Sequence, residues 1–399
     1  MTETDRIIAR VSRGELERRW AEVRRAMRDR GLDALVMQSA NDWLGGAVKY
    51  FTDFPANNGY SRSVIFPADG LMTVVEVGPF DGRKHLDGDD PIHPGVGEIL
   101  FSPSFLSVSY THCYDGDVIR GALARAGHRR IGMVGAGGLP RDFFAAIEDF
   151  ARSAGGETVD ATDLVDAVKA IKSDEEIDLI RQAAAMQDAV FAKVLAEIRP
   201  GLRDVDIAAL AWREGQTRGS EQGILLGASA PLGKPSVFAG RHLQGRTLGA
   251  GDHLSLLIEI NGPGGFYVEI ARTIVLGKAT SQLLDGFAAV REAQQATLRR
   301  MVPGASCREI AEAHDEHMRS RGLPTELRLY AHGQGYDMVE RPLIRRDETM
   351  RIAPRMCFAV HPGFETPSIF AVICDNYLIG EGGPGECLHK TEKRVFEAG

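Results

Sequence analysis

Two glutamates, Glu259 and Glu269, stand inside apolar runs on either side of a glycine-rich turn in GDHLSLLIEINGPGGFYVEIARTIVLG, residues 251–277. Residues 254–260 and 266–276 are rich in β-branched and aromatic side chains, and Asn-Gly-Pro-Gly-Gly between them is turn chemistry, so the stretch reads as a β-hairpin. If the turn pairs Ile260 with Phe266, Glu259 faces Tyr267 and Glu269 faces Leu257, a diagonal placement on one face with Cβ atoms roughly 7–8 Å apart. A slip of one residue would send the two to opposite faces. A buried, unpaired carboxylate is costly, so each must be neutralised, paired or liganded. Two close carboxylates also push their pKa values apart, which supplies an acid and a base at neutral pH. The plain alternative is a structural pair with the adjacent Arg272.

The same hairpin resembles the signature of the pita-bread metallopeptidase superfamily, which includes methionine aminopeptidase, aminopeptidase P, prolidase and the metal-free creatinase. Further landmarks run in the order of that superfamily along nearly the whole chain. They are ERRWAEVRRAMRDRGLDALVMQSANDWLGGAVKYFTDF, VKAIKSDEEIDLIRQAAAM, AHGQGYDMVERP, MCFAVHPGF and AVICDNYLI. The fold implied is an α/β N-terminal domain, residues 1–160, followed by an α+β pita-bread catalytic domain, residues 161–399.

The departures bear on the chemistry. The superfamily's metallopeptidases hold two metals with two aspartates, one histidine and two glutamates. Carried onto this chain, the first aspartate position is Leu257, with Glu259 two residues on, and the second is Glu269. The histidine position is His332, and the two glutamate positions are His361 and Cys374. Bridging carboxylates keep paired ions roughly 3.5–4 Å apart, and Leu, His and Cys cannot bridge in that way. Glu, His, His and Cys would still make one zinc site.

Loss of the two-metal set makes the creatinase-like branch the nearest model, and the resemblance then implies no metal and no cofactor. Tyr267 matches a substrate-holding tyrosine of that branch. Tyr60-Ser61-Arg62 looks like its Phe-Gly-Arg stretch, which makes Tyr60 and Arg62 candidate substrate contacts, and a guanidinium fork suits a carboxylate. His242, in RHLQGRTLGAGD, lies near the place of its catalytic histidine. Its glutamate in a Glu-Arg-Thr run is replaced here by Ala271, before Arg272 and Thr273. The expectation is a metal-independent hydrolase of a C–N bond of amidine, guanidino or amide type in a small charged metabolite. Glu259, Glu269, His332, His361 and His242 are its catalytic candidates, with Tyr60, Arg62, Tyr267 and Cys374 binding substrate. The alternatives are a metal-dependent Xaa-Pro dipeptidase, aminopeptidase or related lyase with a remodelled metal site, and a non-enzymatic binding module. The resemblance also implies a homodimer in which one subunit's N-terminal domain reaches the other's site.

Composition fits such an enzyme. The 399 residues are 44% hydrophobic, enough for a substantial core, and the formal net charge of −8 comes without a basic stripe, which argues against nucleic acid. Five cysteines without a CxxC pair argue against a disulfide framework. The N-terminal stretch has no apolar h-region and no apolar run is long enough to span a bilayer, so a cytoplasmic protein without membrane partners is expected.

The elements that must position these residues are partly visible. Short apolar strands at 35–38, 63–66, 72–77 and 130–134 alternate with helical patterns before residue 160. Ser173-Asp-Glu-Glu176 has capping-box spacing, which predicts a helix to about Ile198, and further helices are expected after Asp204, across 279–301 and after Ser306.

Overall fold

The computed structural model describes residues 9–41, 45–54 and 57–398. The chain divides into two compact units, Met1–Lys169 and Ala170–Gly399.

In the first unit seven strands form one sheet: β1 (Ala34–Ser39), β2 (Arg62–Pro67), β3 (Met72–Val77), β4 (Arg83–His85), β5 (Val96–Ser102), β6 (Arg130–Met133) and β7 (Glu157–Asp160), in the order β4-β5-β3-β2-β1-β6-β7. β1 runs antiparallel to β2 and parallel to β6. Helices His112–Ala126 and Arg141–Ser153 cover one face, because Phe143, Ile147 and Ala151 recur at helical spacing and pack with Ile119 and Leu123 against Val36, Ile65, Val75 and Ile131.

The second unit contains β8 (Gly223–Leu226), β9 (Ser229–Pro231), β10 (Asp252–Asn261), β11 (Tyr267–Leu276), β12 (Ala331–Gly333), β13 (Glu340–Leu343), β14 (Cys357–Val360), β15 (Gly363–Glu365), β16 (Phe370–Val372), β17 (Asp375–Gly380), β18 (Gly383–Cys387) and β19 (Phe396–Ala398). One sheet runs β19-β11-β10-β8 with β9 also on β10, a second runs β13-β12-β14-β17-β18, and β15 and β16 form a ribbon. A bridge between Ala271 and Cys374, with both N–H···O contacts at 3.3 Å, ties β11 to the start of β17. That bridge sets one sheet beside the other.

The hairpin β10–β11 is buried on both faces. Leu254, Leu256, Ile258, Ile260, Ile270, Ile274 and Leu276 pack against Val190, Phe191 and Val194 of helix Asp174–Glu197 and Ile207 and Ala211 of helix Asp204–Thr217. Each such side chain contributes roughly 1.5–3 kcal/mol by leaving water. The first of these helices opens with the full capping box, Ser173 accepting from the Glu176 N–H and Glu176 from the Ser173 N–H. With one face of the hairpin committed to helices, residues 255, 257 and 259 and their partners 273, 271 and 269 form the other.

Candidate metal centre

Glu259 and Glu269 lie directly opposite each other in the β10–β11 register. The turn takes in Phe266, whose carbonyl accepts from the Gly262 N–H at 2.9 Å, and Gly264 and Gly265 adopt positive φ values of 69° and 82° that favour glycine. The pairing therefore begins at Asn261–Tyr267 and lies two residues from the diagonal expected above. Because the shift is even, both carboxylates stay on one face, and direct partners sit closer, with Cβ atoms about 4.5–5.5 Å apart.

Across from them the bridged second sheet presents His332, in β12, and His361, just after β14. The Nδ1 of His332 lies 2.9 Å from the Gly333 carbonyl, which can only accept, so Nδ1 carries the proton and Nε2 keeps its lone pair. That Nε2 stands 3.9 Å from Glu269 Oε2, and the His332 and His361 rings are 5.1 Å apart at 65°. Burial holds the His332 imidazole down to about 4, while the Gly333 carbonyl and Glu340 pull weakly the other way. His361 is held well below its ordinary value by burial, then by His332 and Arg328. Both rings are therefore neutral at neutral pH. The two glutamates are pushed upward by burial, and Glu259 further by Glu269.

The structural alternative, neutralisation by Arg272, does not occur. Its buried guanidinium meets Asp375 at 2.6 Å and the carbonyls of Ala271, Cys374, Thr391 and Glu392 at 2.8–3.0 Å.

Glu269, His332 and His361 each offer a ligand atom, and these atoms lie within 4.8 Å of one another. Two neutral imidazoles and a carboxylate fit one transition-metal ion of the zinc type. They do not fit the two-ion set, since Leu257 and Cys374 occupy two of its places. Leu257 and Cys374 join Ala271 and Ala359 in a buried apolar cluster, with Ile224, Leu226 and Phe238 packed on it.

The other predicted site residues fall as follows. The Cys374 thiol is buried and donates to the Glu269 carbonyl at 3.4 Å. Tyr267 is buried at the start of β11, its N–H donating to the Gly335 carbonyl. His242 sits in an exposed turn, Arg241–Leu243, outside the group of converging donors. In the first unit, Arg62 pairs with Glu76 at 2.9 Å and lies over the Phe54 ring, whereas Tyr60 is half exposed beside Phe105. Two residues escaped the sequence reading. Gln334 donates to Glu259 at 2.7 Å, and Asn376 donates to Gln334 at 2.7 Å. A lone amide among the glycines of AHGQGYD and an Asp-Asn pair opening the strand DNYLIG were the available signals.

The model of metallopeptidase family M24 matches residues 178–381, just over half of the chain. The probable dipeptidase PepE of Mycobacterium tuberculosis is 28% identical over 238 residues, which cover 58% of this chain and only 62% of that protein. The Xaa-Pro dipeptidase of Pyrococcus furiosus is 25% identical over 237 residues, covering 59% and 67%. Among solved structures, the X-Pro aminopeptidase of Thermotoga maritima superposes with a TM-score of 0.75 at 17% identity over 95% of this chain and 99% of that one, a likeness of fold.

These findings correct the expectation of a metal-independent, creatinase-like amidinohydrolase and the lower place given to peptidase activity. The matched family is one of metallopeptidases, the relatives bear dipeptidase names, and three ligand atoms converge closely enough to hold a metal. The physical reason is that Leu257 and Cys374 stand where oxygen donors are lost, yet Glu269, His332 and His361 still converge closely enough to hold an ion. The fold is an N-terminal α/β domain followed by a pita-bread catalytic domain, and the chain belongs to metallopeptidase family M24.

Proposed function

We propose that this chain is a metal-dependent hydrolase of the Xaa-Pro dipeptidase or aminopeptidase type acting on small substrates. The observation that carries the reading is the convergence of Glu269, His332 Nε2 and His361 on the hairpin face. A metal held there would polarise the scissile carbonyl and lower the pKa of a water. His332 is set for that role by the Gly333 carbonyl, which fixes its tautomer from outside. Glu259, in the same row as Glu269, is placed to hold or pass a proton at its Oε2, its Oε1 being occupied by Gln334. The partly buried Ile224, Leu226 and Phe238, packed on Leu257 and Ala271, offer apolar surface of the kind that a proline ring or an aliphatic side chain would contact.

A homodimer and a reducing, cytoplasmic setting complete the proposal. Exposed Phe80, Tyr110, Phe105 and Leu106 on the first unit support the former, and five free cysteines the latter. Among the described residues no helix is long and apolar enough to cross a membrane.

The test is hydrolysis of Xaa-Pro dipeptides and of peptides with proline second. Turnover that is lost to a chelator and restored by Zn2+, Mn2+ or Co2+ is expected. Turnover indifferent to exhaustive chelation would refute the reading.

A further inference from the structure

We propose that the centre holds a single divalent ion on Glu269, His332 and His361, and that Gln334 keeps Glu259 outside its coordination shell. The inference deepens the metal-dependent reading above and rests on it.

The count follows from what surrounds the three donors. Two ions about 3.5–4 Å apart need bridging carboxylates and so oxygen donors on both sides. The next row of the same hairpin face, Leu257 opposite Ala271, offers none, and Ala359 and Cys374 close it as an apolar cluster. The Cys374 thiol is turned to Glu269, toward its carbonyl at 3.4 Å and its carboxylate, and is not among the three residues whose ligand atoms converge. A second cation there would be desolvated without compensation. The one remaining carboxylate of the row is Glu259.

A chain of amides settles where Glu259 points. The Glu269 backbone N–H can only donate, so the Asn376 atom 2.7 Å away is Oδ1. Asn376 Nδ2 is thereby turned to Gln334 Oε1, also at 2.7 Å. Gln334 is left with its NH2 group toward Glu259 Oε1 at 2.7 Å and the Met338 carbonyl at 3.0 Å. Met338 O accepts only, which agrees with the assignment made from the other end. Backbone groups at both ends thus orient the donor that holds Glu259, and Gln334 acts on the centre as a positioning residue.

The test counts ions without recourse to activity. The protein is stripped with chelator, loaded with excess Co2+, freed of unbound metal by gel filtration, and measured by plasma mass spectrometry and calorimetry. One ion per chain is expected. Two ions would overturn the proposal and leave the metal-dependent reading standing, whereas none would overturn both. Glu269→Gln and His332→Ala should weaken Co2+ binding by roughly 100-fold or more, and Glu259→Gln by less than about ten-fold, the lower end for an outer-shell partner. An equal loss for Glu259→Gln would make Glu259 a ligand and overturn its exclusion. Gln334→Met should free Glu259 and tighten Co2+ binding by about five-fold, and the gain should vanish in the double variant with Glu259→Gln. A gain that survives, or no gain, would remove Gln334 as the positioning residue.

Discussion

Glu269 and Glu340 are both buried glutamates of the catalytic domain, yet their surroundings are opposite. Glu340 is met by the Lys172 ammonium at 3.1 Å and by the backbone N–H groups of Tyr336 and Asp337 at 2.8 and 3.2 Å. Glu269 faces a second carboxylate and two neutral imidazoles. The first arrangement satisfies a charge with donors. The second gathers lone pairs and acids in one place, which a fold tolerates only at a cost and which a cation would relieve. On the proposed reading, the difference separates a buried acid that serves structure from one that serves a ligand.

The largest effect that would sharpen this contrast is on turnover. Glu269→Gln should lower kcat/KM for an Xaa-Pro dipeptide by roughly 10⁴-fold, the upper end for one catalytic group, with the Tm of the chelator-stripped protein unchanged or raised because a like-charge neighbour is gone. A Tm that falls along with activity would place Glu269 in the same class as Glu340. Lys172→Met should act the other way, costing about 3–5 kcal/mol in urea unfolding by removing the cation that meets the buried Glu340 carboxylate. Unchanged stability would show that the Glu340 enclosure holds without its cation.

Smaller effects extend the comparison to other closed groups. On the metal-facing side of the hairpin, Ser255 bonds Ser236 at 3.0 Å and Thr273 at 3.1 Å, a row without charge. Thr273→Val should cost about 1 kcal/mol and leave kcat within two-fold, roughly the net worth of one neutral hydrogen bond. A collapse of activity would mean that the site extends along this row. Glu348 supplies the pH test. Burial tends to raise its carboxyl, but Arg341 and the N–H groups of Met350 and Leu343 outweigh it and hold it at about 2, below the ordinary 4.5. Its stabilisation is therefore complete above pH 4.5 and is lost as pH falls from there toward 2. Glu348→Gln should flatten that part of the acid-unfolding curve, and an identical curve would show that other carboxylates dominate it.

Much of the scaffold was legible because its signals are local. The capping box at Ser173 and Glu176 lies within one turn, and the strands β1, β2, β3 and β6 are apolar enough to stand out. β4 is fully exposed and β7 half so, so neither shows the alternation that a buried face imposes. The two glutamates were found on one face, but not their exact partnering, since the turn's length depends on glycine conformations that composition does not reveal. Gln334 and Asn376 were missed because their partners lie 75 and 42 residues away in sequence. Counting lost ligands one position at a time argues against a metal, whereas Glu269, His332 and His361 come from separate segments and meet only in space.

Amides pass on a direction without carrying a charge, so a polarity set at a backbone N–H reaches Glu259 unchanged. Converting Asn376 to aspartate, by mutation or by slow hydrolytic ageing, would replace a donor with an acceptor. Gln334 would then have to turn over and present its oxygen to Glu259, so a one-atom exchange on β17 would be felt as repulsion at the catalytic row.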